Sequence, residues 1–179
     1  SSVSFIEKHA TDGELRKLSK SEHPVLRAIA FRVMLERRTF NHFDLIMNNL
    51  DDTAIVAVYW GEWGIRYMYV SDDMLQNAKW KDTIAKNKTI EAVITKHNYL
   101  RSAYSVVSSL EPKPYYYPYI RQMALHNRYF YKDFQWEFYQ TENALYALAK
   151  YKKKGDIPVI KDAIFQNISG ITETSFKLI

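Results

Sequence analysis

An identical spacing of apolar residues occurs twice in this chain, 114 positions apart and with no gap needed to align the two stretches. Ala30-Phe31-Arg32-Val33-Met34-Leu35, followed by Phe43-Asp44-Leu45-Ile46 and Leu50, lines up with Ala144-Leu145-Tyr146-Ala147-Leu148-Ala149, followed by Ile157-Pro158-Val159-Ile160 and Ile164. Self-similarity at long range is the mark of a repeat architecture, in which one unit cannot bury its apolar face alone and stacks on its neighbours. A weaker third copy lies between the two. Ala103 falls against Ala144 at a step of 41 residues, Val106-Val107 against Ala147-Leu148, and Met123 against Ile164. That step lies within the roughly 40–47-residue period of HEAT and armadillo units.

Composition supports helices. The chain has only five Gly and five Pro in 179 residues, too few turn formers for a many-stranded sandwich or barrel. A hydrophobic content of 47% with 25% charged residues excludes wholesale disorder. The absence of Cys removes disulfides, thiolate metal sites and cysteine nucleophiles together. No apolar run approaches the roughly 20 residues of a membrane span. The chain opens on Ser1-Ser2-Val3 without an initiator methionine, which fits either a removed leader or an artificial start and leaves the compartment open.

Local signals divide the chain as follows. Thr11-x-x-Glu14 has the spacing of a capping box and is expected to start the first helix. Pro24 suits the first turn of a second helix over 25–38, with Leu26, Ala30, Val33 and Met34 on its apolar stripe. Phe43, Ile46, Met47 and Leu50 define a third helix, completing one helix pair. At 54–70 the period changes: Val56, Val58 and Trp60, then Ile65, Tyr67 and Tyr69, alternate around Gly61-Glu62-Trp63-Gly64 and predict a β-hairpin. Ser71-Asp72-Asp73 is read as the cap of a helix over 74–86, with further helices over 89–97, 99–110, 116–125, 141–154 and 156–167. The segment from Ile168 to Ile179 has no helical period. The fold expected is a single mainly α domain over 1–179: an α–α superhelix of helix pairs, with units near 11–53, 89–126 and 134–167 and one hairpin insertion.

These motifs resemble those of HEAT-repeat proteins. The likeness rests on Pro24-Val25-Leu26-Arg27-Ala28-x-Ala30 and Asn143-Ala144-Leu145-Tyr146-Ala147-Leu148-Ala149-Lys150, and on Phe43-x-Leu45-Ile46 and Asp156-Ile157-Pro158-Val159-Ile160. The chain is most similar to bacterial HEAT-like proteins of unassigned function, some of which share the link Leu50-Asp51-Asp52-Thr53. The resemblance covers about half to two-thirds of the chain, and the hairpin departs from it. It implies a protein-binding scaffold, and transfers no functional residue.

Spacing offers little for catalysis. None of His9, His23, His42, His97 and His126 stands three or four positions from another, so no metal is expected. No cofactor-binding glycine pattern, nucleophile elbow or P-loop occurs. Asp133 and Glu137 stand four apart and would share a helical face beside Trp136, but such pairs are common on solvated faces. The net charge of +5 has one dense centre, Lys150-Tyr151-Lys152-Lys153-Lys154. Its expected role is to offset a helix C-terminus, with Gly155 supplying the left-handed cap.

Aromatics are the least ordinary feature. Thirteen of the 27 fall between Tyr115 and Tyr151. Phe130, Phe134 and Phe138 have helical spacing and read as core. Tyr115, Tyr116, Tyr117, Tyr129, Tyr131 and Trp136, extended by Trp60 and Trp63 at the hairpin tip, are the expected binding platform. The function expected is a non-enzymatic protein- or peptide-binding module with aromatic anchors. Its rival is a nucleic-acid-binding protein, of which HEAT-like DNA glycosylases are one kind.

Overall fold

A computed structural model of the protein describes residues 2–59, 64–125, 134–163 and 165, with side-chain surroundings for 4–59, 64–125, 142–163 and 165. Over these residues the chain is mainly helical with one two-stranded antiparallel sheet. It clusters into two units, Ser1–Val93 and Ile94–Ile179.

In the first unit, α1 (Ser2–His9) and α2 (Asp12–Leu18) precede α3 (Pro24–Glu36) and α4 (His42–Met47). The capping box forms as its spacing predicts. Thr11 Oγ1 accepts from the Glu14 N–H at 3.2 Å, and the Glu14 carboxylate accepts from the Thr11 N–H at 2.7 Å. The Thr11 N–H and then the Thr11 hydroxyl, each donating to that carboxylate at 2.7 Å, hold the Glu14 carboxyl below its ordinary pKa. α2 is not the first helix, however: α1 lies before it, and Arg37 joins the two. Its guanidinium donates to the carbonyls of Glu7 and Ala10 and to Asp12 Oδ1, so carbonyls left open at the end of α1 find a donor.

α3 is the hub of this unit and contacts α1, α2, α4, the sheet and α5. Pro24 occupies its first turn, and Ala28, Ala30, Phe31, Val33, Met34 and Leu35 are buried. Asn41 caps α4 by accepting from the N–H groups of Phe43 and Asp44. The hairpin follows as β1 (Ile55–Tyr59) and β2 (Ile65–Tyr69), paired Ile55 with Tyr69, Val56 with Met68, Ala57 with Tyr67, Val58 with Arg66 and Tyr59 with Ile65. Val56 and Met68 are buried and face the helices. Gly64 has φ 83°, a conformation that L side chains rarely adopt.

Two arginines of α3 hold the base of the hairpin. Arg27 clasps Asp52, just before β1, through Nε–Oδ2 at 2.7 Å and Nη2–Oδ1 at 2.8 Å. Arg32 makes the same two-pronged contact with Asp73, just after β2. Between the clasps, the Val70 N–H donates to the Ala54 carbonyl at 2.9 Å and the Ser71 N–H to the Asp52 carbonyl at 3.1 Å.

This contact overturns the reading of Ser71-Asp72-Asp73 as the cap of a helix over 74–86. Helix α5 spans Val70–Gln76, so these residues lie within its first turn and are buried. The next helix is α6 (Thr83–Lys96), with Thr89 in its interior rather than at its start. The Asp73 carboxylate serves Arg32, a partner 41 residues earlier that local spacing cannot reveal. Ser71 Oγ is buried with no hydrogen-bond partner among the described residues. A buried unpaired hydroxyl costs on the order of 1 kcal/mol. Ser71→Ala is therefore expected to leave stability unchanged or to raise it by up to about 1 kcal/mol in urea unfolding.

In the second unit, α7 (Arg101–Val107) and α8 (Tyr117–Leu125) pack on α9 (Phe134–Ala149). A short 3₁₀ turn, Pro114–Tyr116, leads into α8, and another, Lys154–Asp156, leads into a helical stretch over 157–163. Helical stretches thus occur at both ends of the 114-residue echo, and burial agrees at part of its first helix only: Leu35 is buried where Ala149 is exposed, and Ile46 where Ile160 is half-buried. Ala30, Ala103 and Ala144 are each fully buried, as are Met34, Val107 and Leu148 to within 3%. Gly155 does not supply the left-handed residue expected after α9. Lys152 does, with φ 53°. Among the described residues no helix is long and apolar enough to cross a membrane.

Candidate functional site

The tyrosines after α7 adopt unequal positions because Tyr115 and Tyr116 fall in a 3₁₀ turn and Tyr117 opens α8. Successive side chains in such a turn point about 120° apart. Tyr115 is 54% exposed, Tyr117 is half-buried, and Tyr116 is only 8% exposed. Tyr116 is thus a correction to the expected platform, since it belongs to the core. The Tyr115 ring lies 5.4 Å from that of Tyr116 and meets Tyr119 edge-on at 6.0 Å.

Lysines at the end of α9 close around these rings. The left-handed Lys152 turns the chain, and Lys153 Nζ stands 3.3 Å from the centroid of the Tyr117 ring, a close cation–π contact. Tyr151 packs edge-on against Tyr117 at 5.3 Å and donates its hydroxyl to the Lys113 carbonyl at 2.8 Å. Lys150 Nζ donates to the carbonyls of Ser108 and Leu110, following the end of α7, and lies 5.1 Å from the Tyr146 ring centroid. A non-glycine residue in the left-handed region costs roughly 1–2 kcal/mol and persists where its surroundings fix it. Here the Tyr151 and Lys152 N–H groups donate to the Leu148 and Ala149 carbonyls at 3.1 and 3.0 Å.

Asp156 neutralises part of this charge. Its carboxylate is buried, accepts from the Tyr117 hydroxyl at 3.1 Å and from Arg121 Nε at 3.2 Å, and so is committed within the cluster. Partial burial, then the Asp156 contact and its negative charge, push the Tyr117 phenol above its ordinary pKa. Partial burial, then Tyr116, do the same for Tyr151. Both phenols therefore stay neutral well past pH 7 and serve as hydroxyl donors rather than acid–base groups. Lys152, Lys153 and Lys154 remain exposed, as does much of Tyr115 and Tyr146. The arrangement can stack, donate hydrogen bonds and attract negative charge.

Of the residues singled out from sequence, this cluster contains Tyr115, Tyr116 and Tyr117. Tyr129, Tyr131, Trp60 and Trp63 lie outside the described residues, as do Asp133, His126, Phe130 and the segment from Ile168. The same holds for the side chains of Phe134, Trp136, Glu137 and Phe138. Tyr119, Tyr146 and Arg121 were not foreseen, and Tyr151 and Lys153 were expected only to close a helix end. A signal for two of them was present: Tyr119 follows Tyr115, and Lys150 follows Tyr146, by four residues, the spacing of helical neighbours.

The first unit has a separate open groove of about 420 Å³ beside Phe5, His9 and Leu18. Its carboxylate, Glu14, is engaged by the capping box. Among the described residues no group of three His, Asp or Glu side chains comes together as a metal site. No family model, curated protein or solved structure matches the chain.

Proposed function

We propose that this protein is a non-enzymatic scaffold of HEAT-like helix pairs, stacked as an α–α superhelix, that binds an acidic segment of a partner protein. The observation that carries the reading is the contact of exposed Lys153 with the half-buried Tyr117 ring beside exposed Tyr115, with Asp156 already neutralised by Arg121. Tyr115 and Tyr119 offer rigid rings that lose little rotamer freedom on binding, and hydroxyls for a peptide backbone. Lys152, Lys153 and Lys154 favour carboxylates on the approaching chain. The common burial of Ala30, Ala103 and Ala144 supports the stacked helix pairs.

Stacked rings beside lysines also suit single-stranded nucleic acid, which is the second reading. The cations here gather at one turn, whereas a nucleic-acid track needs them spaced along several phosphates. A random peptide display library separates the two. Enriched sequences are expected to carry Asp and Glu beside apolar residues, while a labelled oligo-dT stays unbound at about 0.1 M salt. Failure to enrich acidic peptides overturns the proposal, and tight oligo-dT binding that falls steeply with salt establishes the rival.

A further inference from the structure

The hairpin is apolar on its outer face as well as at the buried base of its inner one, which also carries Val58 and Arg66. Its inner face carries Val56 and Met68, which are buried. Its outer face carries Ile55, Ala57 and Tyr59 from β1 and Tyr69, Tyr67 and Ile65 from β2, directly paired in that order. Ile55, Tyr59, Ile65 and Tyr67 are each more than half exposed, Tyr59 at 77%. A two-stranded sheet is marginal in water and gains from a further layer. This one is held rigidly at its base by the Arg27–Asp52 and Arg32–Asp73 clasps.

We infer that this outer face packs against the same face of a second copy of the chain. Three observations select that occupant. The six outward positions carry no charge, so two identical faces can meet without like-charge repulsion. The four most exposed side chains present on the order of 500 Å² per copy, and the pair on the order of 1,000 Å², the size at which specific interfaces begin. The third observation is the register. Each outward pair combines one tyrosine with one aliphatic residue: Tyr69 with Ile55, Tyr67 with Ala57, Tyr59 with Ile65. A two-fold axis lying between the sheets and parallel to the strands sets β1 of one copy over β2 of the other. Every tyrosine then faces an aliphatic side chain, with the large Tyr67 over the small Ala57. An axis across the strands would instead set Tyr67 on Tyr67. The surface is self-complementary in one orientation, as a closed two-fold dimer requires.

The test uses the full chain in sedimentation velocity across a concentration series. A monomer–dimer equilibrium is expected, with a dissociation constant on the order of 10 µM. Tyr59→Lys changes an exposed position, so its unfolding transition should match the parent while dimerisation weakens at least about tenfold. A parent that stays monomeric at several hundred micromolar, or a Tyr59→Lys variant that dimerises as well as the parent, overturns the inference. Because the chain has no cysteine, introduced thiols are unique. Mixed Ala57→Cys and Tyr67→Cys chains should cross-link to each other under mild oxidation in preference to their own kind. Preferential Tyr67→Cys homodimers would refute the stated two-fold arrangement.

Discussion

Replacing Arg32 with methionine should destabilise the protein by about 3–5 kcal/mol, measured by urea unfolding. Asp73 is only 3% exposed at its side chain, and Arg32 contacts both of its carboxylate oxygens. Asn77 donates to the Asp73 carbonyl at 2.7 Å and approaches Oδ1 only at 3.5 Å, so it cannot replace the guanidinium. Without Arg32, a buried carboxylate must remain charged without its cation or take up a proton, and either costs stability. The hydrogen bonds to Asp73, and then its charge, raise the Arg32 pKa further, so the guanidinium stays charged across the accessible pH range. Replacing both partners, as Arg32→Met with Asp73→Leu, should recover most of the loss, because no buried charge is left behind. Lys79 and Glu36 form the contrasting case. Their pair is exposed at 64% and 47%, and Lys79→Ala should change stability by less than about 1 kcal/mol. An Arg32→Met loss as small as that of Lys79→Ala would show that the hairpin base is not held in the way described.

The second large effect is expected on binding. For an acidic peptide selected against the parent, Tyr115→Ala should weaken affinity by about 30-fold, or roughly 2 kcal/mol, which is the scale of an interfacial aromatic anchor. Tyr115 is exposed and meets Tyr119 through its ring, so its removal takes away a contact surface without opening the core. Tyr116→Ala should behave differently. That ring is buried, and its loss should lower stability by about 3 kcal/mol or more, with any binding defect following from unfolding. Calorimetric titration paired with thermal unfolding distinguishes the two. Unchanged peptide affinity in a folded Tyr115→Ala variant would exclude Tyr115 as an anchor.

Features governed by neighbours in sequence were legible. The Thr11–Glu14 box, Pro24 at the start of α3 and the alternation that makes the hairpin each depend on residues a few positions apart, and each occurs where spacing placed it. Features governed by distant partners were not. Asp73 reads locally as a helix cap, yet Arg32 of α3 takes its carboxylate. Asp156 stands at the start of the last expected helix, yet its carboxylate engages Tyr117 and Arg121 on α8. Gly155 is the expected left-handed residue, but Lys152 takes that conformation, nearer the end of α9. The three consecutive tyrosines could be counted from sequence. Their division into exposed, buried and half-buried depends on a 3₁₀ turn, whose limits periodicity does not mark.

The hairpin enters and leaves its unit at almost one point, since the Ala54 carbonyl and the Val70 N–H share a hydrogen bond. A segment whose ends already touch can vary in length at its far end while Val56 and Met68 keep their packing on the helices, because closing the new loop changes its entropy only slowly with length. Arg27 and Arg32 fix the two anchor points from outside the segment. The hairpin is in that sense a cassette on a socket. Variation in what the protein associates with can accumulate there independently of the helical frame.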